Sequence, residues 1–165
     1  MSHDKGRFYT ASLSISALTT AATEIMSLLP SSLSRVELHK LELGQTSTST
    51  LTPARVELFR GSTAGGSTGS AITPVNRDGW SNAPASTSVV TGNSTTPNST
   101  ASGSVHLHIG TFDVDSGQFC WEPCPPPVLD ISQRFWARFT PLTTAALTGL
   151  TAVLTFREVG KIPSA

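Results

Sequence analysis

RVELHKLELG, residues 35–44, alternates apolar and polar side chains. Because successive side chains of a β-strand point to opposite faces, this pattern is typical of a strand with one face on a core and the other in water. The alternation slips once: the valine and the first leucine share one parity, whereas the last two leucines share the other. We expect a β-bulge near His39-Lys40, which would return all four aliphatic side chains to the same face.

The same alternation recurs on both sides of this segment. Further strands are predicted at residues 8–15, 54–60, 86–91, 104–111, 118–122, 128–130, 134–140 and 149–159. The segments 35–44 and 54–60 are interpreted as an antiparallel pair joined by the Ser/Thr-rich loop 45–52. Residues 19–29 fit either a short helix behind a threonine cap or a short edge strand or single turn, of which we favour the second.

These segments predict the fold class. About eight to ten short strands separated by turn residues, with no convincing long helix, indicate an all-β protein. We expect an antiparallel β-sandwich, jelly-roll-like, with long Ser/Thr/Gly-rich loops and a short N-terminal arm. A chain of 165 residues is long enough for one such domain with a single core.

The rest of the chain is assigned to an arm, loops and a tail. We expect a single domain over residues 1–165, with an N-terminal arm at 1–7, long loops at 61–84 and 92–103, and a C-terminal tail at 160–165. The two loops are rich in Gly, Pro, Ser, Thr and Asn and have no sustained periodicity. Trp80 lies in the first loop, where an indole either anchors the loop on its own domain or meets a partner.

The composition excludes several classes of partner. Charged residues are only 13% of the chain, and eleven Lys and Arg balance eleven Asp and Glu. Because the basic residues are scattered, nucleic acid is not expected as a partner. No segment approaches the roughly 18 apolar residues of a membrane span, and residues 1–7 do not read as a signal peptide, so we expect no membrane association and synthesis in the cytoplasm. A weakly charged surface favours self-association.

His106 and His108 are the first candidates for chemistry. Two residues apart on a predicted strand, they would project from one face as a potential pair of metal ligands. No third ligand is evident nearby, so we interpret them as solvent-facing or interface residues. At an interface, their protonation near the usual pKa of about 6.5 would affect assembly.

The remaining candidates also predict structure rather than catalysis. Cys120 and Cys124 have neither a redox nor a zinc spacing and are expected to be free thiols, with a small bridged loop or an intermolecular bridge as the other options. The prolines from Pro123 to Pro127 indicate a rigid rim. Residues 113–117 lack the ligand spacing of a calcium loop and predict a hairpin turn. We therefore predict a protein that is not an enzyme and has no catalytic residues, cofactor or metal.

The chain also resembles a loosely defined group of small structural proteins of tailed bacteriophages. The resemblance lies in the segments 17–25, 35–44 and 55–61, in the Gly/Ala/Thr-rich loop 61–74, and in the end strands 135–139 and 150–156. It implies a virion protein, a capsid decoration or cement subunit that assembles as a homo-oligomer, commonly a trimer, on the major capsid protein. The segment 120–127 and the second polar loop depart from the pattern.

On this interpretation the contact residues would be few. We expect them to be Phe8 and Tyr9 of the arm, Trp80, Trp121, Pro125 and Pro126 of the rim, His106 and His108. Two alternatives stay open. One is a lectin-like or receptor-binding jelly roll of a phage tail or fibre, with Trp80, Trp121 or Trp136 stacked on a sugar. The other is a cupin-like metal enzyme that uses the two histidines together with further ligands.

Overall fold

A computed structural model describes residues 6–18, 21–46, 53–62, 69–77, 86–94, 104–113, 117–143 and 148–160. Within these ranges the chain forms strands and turns and contains no helix. The strands are β1 (Arg7–Ala17), β2 (Thr23–Leu29), β3 (Ser34–Gln45), β4 (Ala54–Gly61), β5 (Ser70–Ile72), β6 (Val75–Asn76), β7 (Val89–Ser94), β8 (Val105–Phe112), β9 (Phe119–Trp121), β10 (Val128–Leu129), β11 (Arg134–Pro141) and β12 (Thr148–Gly160).

The strands form two antiparallel sheets that pack face to face. Sheet A has the order β10-β3-β12-β1-β6, with β9 also paired to β3, and sheet B has the order β5-β7-β2-β11-β4-β8. The first strand pairs with the last, and β2 pairs with β11. The two halves of the chain therefore wind around each other as in a jelly roll, which confirms the predicted β-sandwich.

The predicted bulge in β3 is confirmed. Lys40 lies opposite Thr155 and Leu38 opposite Phe156, so His39 is the extra residue in the ladder with β12. The four aliphatic side chains of β3 are all fully buried in the core. The slip in the alternation therefore encoded a local irregularity of a single continuous strand.

Other sequence-based predictions are corrected by the topology. The segments 35–44 and 54–60 are not a hairpin, because β3 belongs to sheet A and β4 to sheet B. The strands on either side of residues 113–117, β8 and β9, also lie in different sheets and do not form the predicted hairpin; residues 114–116 themselves lie outside the described residues. Residues 23–29 form a strand rather than a helix, and it lies inside sheet B between β7 and β11 rather than at an edge. In a jelly roll consecutive strands often cross between sheets.

The predicted loops and arm are partly strand. Strands β5 and β6 lie within the predicted loop 61–84, and β7 extends two residues past the predicted start of the loop 92–103. Arg7, assigned to the arm, is the first residue of β1. The predictions for Trp80 and for residues 1–5 and 161–165 concern positions outside the described residues.

The two sheets approach closely between β1 and β7, the strands next to the edge strands β6 and β5. A Cβ atom placed on Gly92 would lie 2.6 Å from Cδ2 of Leu13 and 2.8 Å from Cδ1 of Ile72. A glycine in β7 therefore lets β1 of the opposite sheet approach. The free side of β1 is further covered by β6, which pairs with Tyr9 and Thr10. β6 thus covers one part of β1, and sheet B ends on its other side in β8.

Candidate functional site

The outer face of β4 and β8 carries the densest polar cluster among the described residues. The register places Arg55 opposite Thr111, Glu57 opposite Ile109 and Phe59 opposite His106. These six residues and Arg138 of the neighbouring strand β11 are called the β4–β8 face. Two of the three rows join a polar and an apolar side chain. Glu57 and Phe59 are buried, whereas their partners on β8 are exposed.

Glu57 is the centre of this face. Its carboxylate accepts two hydrogen bonds from Arg138, and it also lies 3.2 Å from Nε of Arg55 and 3.5 Å from Nε2 of His106. Burial by itself raises the pKa of Glu57, but the hydrogen bonds and positive charge of Arg138, with Arg55 and His106, outweigh it and lower the pKa below its ordinary value of about 4.5. The carboxylate is therefore held in its ionised form.

Aromatic side chains pack against the same cluster. The ring of Phe59 stacks on Trp136 at 5.4 Å between centroids and lies 4.2 Å from the ring of His106. The guanidinium carbon of Arg138 lies 4.9 Å from the centre of the Phe59 ring, within reach of a cation–π interaction. Phe59 and Trp136 are both buried although they lie on the outer side of sheet B. The cluster is therefore a rigid support for β8 rather than an open pocket.

A second β-bulge separates the two histidines that the sequence placed together. The ladder between β4 and β8 shifts between Leu58 and Phe59, so that Leu107 is the extra residue of β8. His106 points to the outer face beside Glu57, whereas His108 points inward, with its ring 5.8 Å from Phe119. The prediction that both imidazoles share a face is therefore wrong, so the two side chains do not form the potential pair of metal ligands that the sequence analysis set aside.

Phe8 and Tyr9 lie in β1, not in an arm. Phe8 is half-buried on the outer face of sheet A, with its ring 4.8 Å from that of His39 and the guanidinium of Arg157 5.8 Å away. Tyr9 is 1% exposed and stacks on Phe156 in the core. The prediction of Tyr9 as a contact residue is therefore wrong for the folded subunit, whereas Phe8 keeps part of its surface open.

Two of the three tryptophans predicted for contact or sugar binding are buried. Trp121 is 7% exposed and stacks on Phe135 at 6.2 Å, and Trp136 is fully buried against Phe59. Neither can stack on a sugar or a partner while the sandwich is folded, which corrects both assignments.

The segment of cysteines and prolines forms an open rim beside β9 and β10. Cys120 and Cys124 are both exposed and not bridged to each other, as predicted for free thiols. Pro125 is exposed and Pro126 is half-buried, so the rim can be reached from outside. Beside the rim, Nη1 of Arg60 in β4, which lies opposite Val105 of β8, donates to the carbonyl of Val128 in β10.

A shallow cleft opens at the end of the sandwich where β3 and β8 finish. It has a volume of about 330 Å³ and is lined by Gly44, Gln45, Phe112, Gly117 and Gln118. A smaller cleft of about 240 Å³ adjoins it and is shared by Phe112, Gly117 and Gln118. The lining combines amides with one aromatic edge, a surface suited to neutral polar ligands.

Glu57 and Arg138 were not identified from the sequence. Alternation with Val56 and Leu58 suggested a solvated glutamate, as is usual on the outer side of a sheet. The one available signal was Phe59 beside it, since two consecutive apolar residues break the alternation and point to burial on both faces of β4.

Comparisons with known proteins add no family to this picture. No protein-family model matches the chain, and no curated protein is significantly similar to it. Among the residues that the structure describes, no three His, Cys, Asp or Glu side chains form a group that could hold a metal ion. The described ranges also contain no helix long and apolar enough to cross a membrane.

Proposed function

We propose that this protein is a non-enzymatic structural subunit of a virus particle, a decoration or cement protein on the capsid of a tailed bacteriophage. Its activity would be contact with copies of itself and with the major capsid protein. The trimer that the resemblance implies remains a prediction. The jelly-roll fold, which viral capsid domains share with lectins and cupins, is compatible with this role but does not select it.

One observation supports the proposal above the others: β8 is a long, open edge strand with an apolar surface. Val105 is 50% exposed and Ile109 is 57% exposed, and Val128 of the adjoining rim is also open. Exposed aliphatic residues along an unpaired strand edge favour association with another chain. Such a surface has no evident use in an isolated monomer.

The energetics suit a repeated lattice. Each 100 Å² of apolar surface removed from water contributes roughly 2.5 kcal/mol before the costs of association. A small contact therefore binds one subunit weakly. Many such contacts on one shell together stabilise the particle, because subunits that are already held in place lose less freedom when they form further contacts. The balance of eleven positive and eleven negative residues keeps repulsion between copies low.

Quantification of the protein in purified phage particles tests this function. We expect a fixed ratio to the major capsid protein, and particles that lack the protein should release DNA at a lower temperature. Absence of the protein from particles, together with a monomer at high concentration and no affinity for shells, would overturn the proposal.

A second candidate function is sugar binding by a tail or fibre module. The end cleft favours it, because Gln45 and Gln118 present amides and Phe112 an apolar edge to that cleft. The burial of Trp121 and Trp136 argues against sugar binding, because neither ring is free to stack on a sugar. Glycan-array binding that is abolished by Gln118→Ala and retained by Glu122→Ala would establish this function in place of the first.

A further inference from the structure

The four edges of the sandwich are not equivalent. The edge strands β5, β6, β9 and β10 have three, two, three and two residues respectively, and the last two lie beside the proline rim. β8 has eight residues and pairs with β4 on one side only. Short strands and prolines are the usual means of blocking edge-to-edge pairing. In the part of the chain that the structure describes, the other three edges thus end in short strands, whereas β8 is the longest edge strand and pairs on one side only.

The composition of β8 also lacks the usual protection. Val105–Phe112 contains no Lys, Arg, Asp, Glu or Pro, the residues that commonly prevent an edge from pairing. The bulge at Leu107 divides the strand, and beyond it His108–Phe112 continues in regular register with β4. That segment offers an uninterrupted row of backbone donors and acceptors toward its free side.

We propose that His108–Phe112 pairs antiparallel with the same segment of a second copy of this chain. This inference rests on the proposed function and identifies the surface through which copies meet. Centred on Gly110, the pairing places Ile109 opposite Thr111 of the partner subunit. Both residues face outward in their own sheets, so their side chains meet on one face of the joined sheets as an aliphatic and threonine pair.

A second copy is the occupant that the observations favour. The segment is complementary to itself when reversed about Gly110, because outward-facing residues meet outward-facing ones and inward-facing residues meet inward-facing ones. It carries no charge that would select an oppositely charged partner, and Arg55 and Glu57 of the adjacent strand are already paired with each other. Sheet B of one copy and sheet B of the other would then form one continuous sheet of twelve strands across the interface.

The geometry also fixes the symmetry of the contact. A strand paired with its own copy forms an isologous interface, which closes as a two-fold dimer. This edge therefore does not build the trimer expected from the resemblance. Pairing over five residues is small beside the roughly 800 Å² per partner of a standard stable interface, so the dimer is expected to be weak and reversible in solution.

Disulfide trapping tests the pairing. In a Cys120→Ser, Cys124→Ser background, chains with Ile109→Cys are mixed with chains carrying Thr111→Cys and oxidised, and the products are separated by intact mass. We expect the mixed dimer to form roughly fivefold more than in a mixture with Val75→Cys, an exposed residue of the β6 edge that serves as the matched control. A mixed dimer no more abundant than this control would overturn the pairing.

Sedimentation equilibrium of the full chain gives a second measurement that requires no cysteine variant. We expect a monomer–dimer equilibrium that Ile109→Lys weakens at least about tenfold, since a charge on the edge opposes pairing, while Val75→Lys leaves it unchanged. Self-association that resists Ile109→Lys, or a monomer–trimer equilibrium without dimer, would overturn the β8 pairing and leave the proposed structural role intact. Failure of that role would appear separately, as absence of the protein from particles.

Discussion

Arg138 donates two hydrogen bonds to the same carboxylate oxygen of Glu57, from Nε at 3.1 Å and from Nη2 at 2.9 Å. The two residues lie directly opposite each other on β11 and β4. The guanidinium of Arg138 also lies over the ring of Phe59. One side chain therefore contacts both the carboxylate of Glu57 and the aromatic ring next to it on β4. The carboxylate that holds Arg138 beside Phe59 therefore lies in β4, the strand next to the edge strand β8.

Replacement of Glu57 by glutamine should destabilise the domain. The substitution leaves Arg138 partly buried without its counter-charge, a loss expected to cost about 2–3 kcal/mol in the free energy of unfolding. Urea denaturation measures the change. Glu42→Gln removes the half-exposed ion pair with Lys40 and is the matched control, which should lose much less. Equal losses in the two variants would contradict the central role of Glu57.

The same carboxylate should make stability depend on acid pH. Because the pKa of Glu57 is lower in the folded protein than its ordinary value of about 4.5, the folded state binds fewer protons in that range. Its contribution is complete above that value and is lost as pH falls through the folded pKa. The difference in unfolding free energy between the unmodified protein and Glu57→Gln should therefore shrink from about pH 5 to about pH 3. A difference that stays constant over this range would refute the assignment.

Gly92→Ala tests how closely the two sheets approach beside β1. The new methyl group would lie 2.6 Å from Cδ2 of Leu13 and 3.0 Å from the carbonyl oxygen of Ile25. Overpacking of this kind costs about 1–3 kcal/mol.

Gly44→Ala is the control for this substitution. Its methyl group would approach only Oγ1 of Thr151, at 3.0 Å, and this half-buried hydroxyl on the outer face of sheet A can move. Thermal unfolding should show a clearly larger fall in Tm for Gly92→Ala than for Gly44→Ala. If the two glycine variants melt at the same temperature, the sheets are not in close contact at β7.

Local pattern explains which parts of the fold could be predicted. The slip in parity at His39 appears in the sequence because both halves of β3 face the same core, and the bulge follows from that condition. The bulge at Leu107 gives no such sign, since the uninterrupted alternation of residues 105–109 reads as one regular strand. It is visible only in the register with β4, where Leu58 lies opposite His108 and Phe59 opposite His106.

Long-range topology explains most of the remaining differences. Residues 35–44 and 54–60 look like the two arms of a hairpin, yet they lie in opposite sheets because β3 pairs with β12 and β4 pairs with β11, both far later in the sequence. The same applies to the candidate site. Glu57 reads as a solvated residue until Arg138, 81 positions later, is placed beside it. Residue pairs of this separation leave no periodic signal.

Glu158 provides the last prediction, because it links the two sheets. Its Oε1 accepts hydrogen bonds from Oγ of Ser86 at 2.8 Å, from the amide of Thr87 at 3.1 Å and from the amide of Ser88 at 2.8 Å. Glu158 belongs to β12 of sheet A, whereas residues 86–88 lead into β7 of sheet B. Loss of the carboxylate should therefore lower the local stability of residues 86–88 more than it lowers the free energy of unfolding of the whole domain.

Hydrogen exchange of the Glu158→Ala variant measures this local effect. We expect the amides of Thr87 and Ser88 to exchange roughly tenfold faster, because local opening then costs about 1.4 kcal/mol less. Glu158→Gln keeps a carbonyl oxygen as an acceptor and should give a smaller increase, and Glu122→Ala, an exposed residue near the proline rim, should give none. Since amides in the middle of β12 report on global unfolding, an equal acceleration there would show that Glu158 stabilises the whole sandwich and not this link.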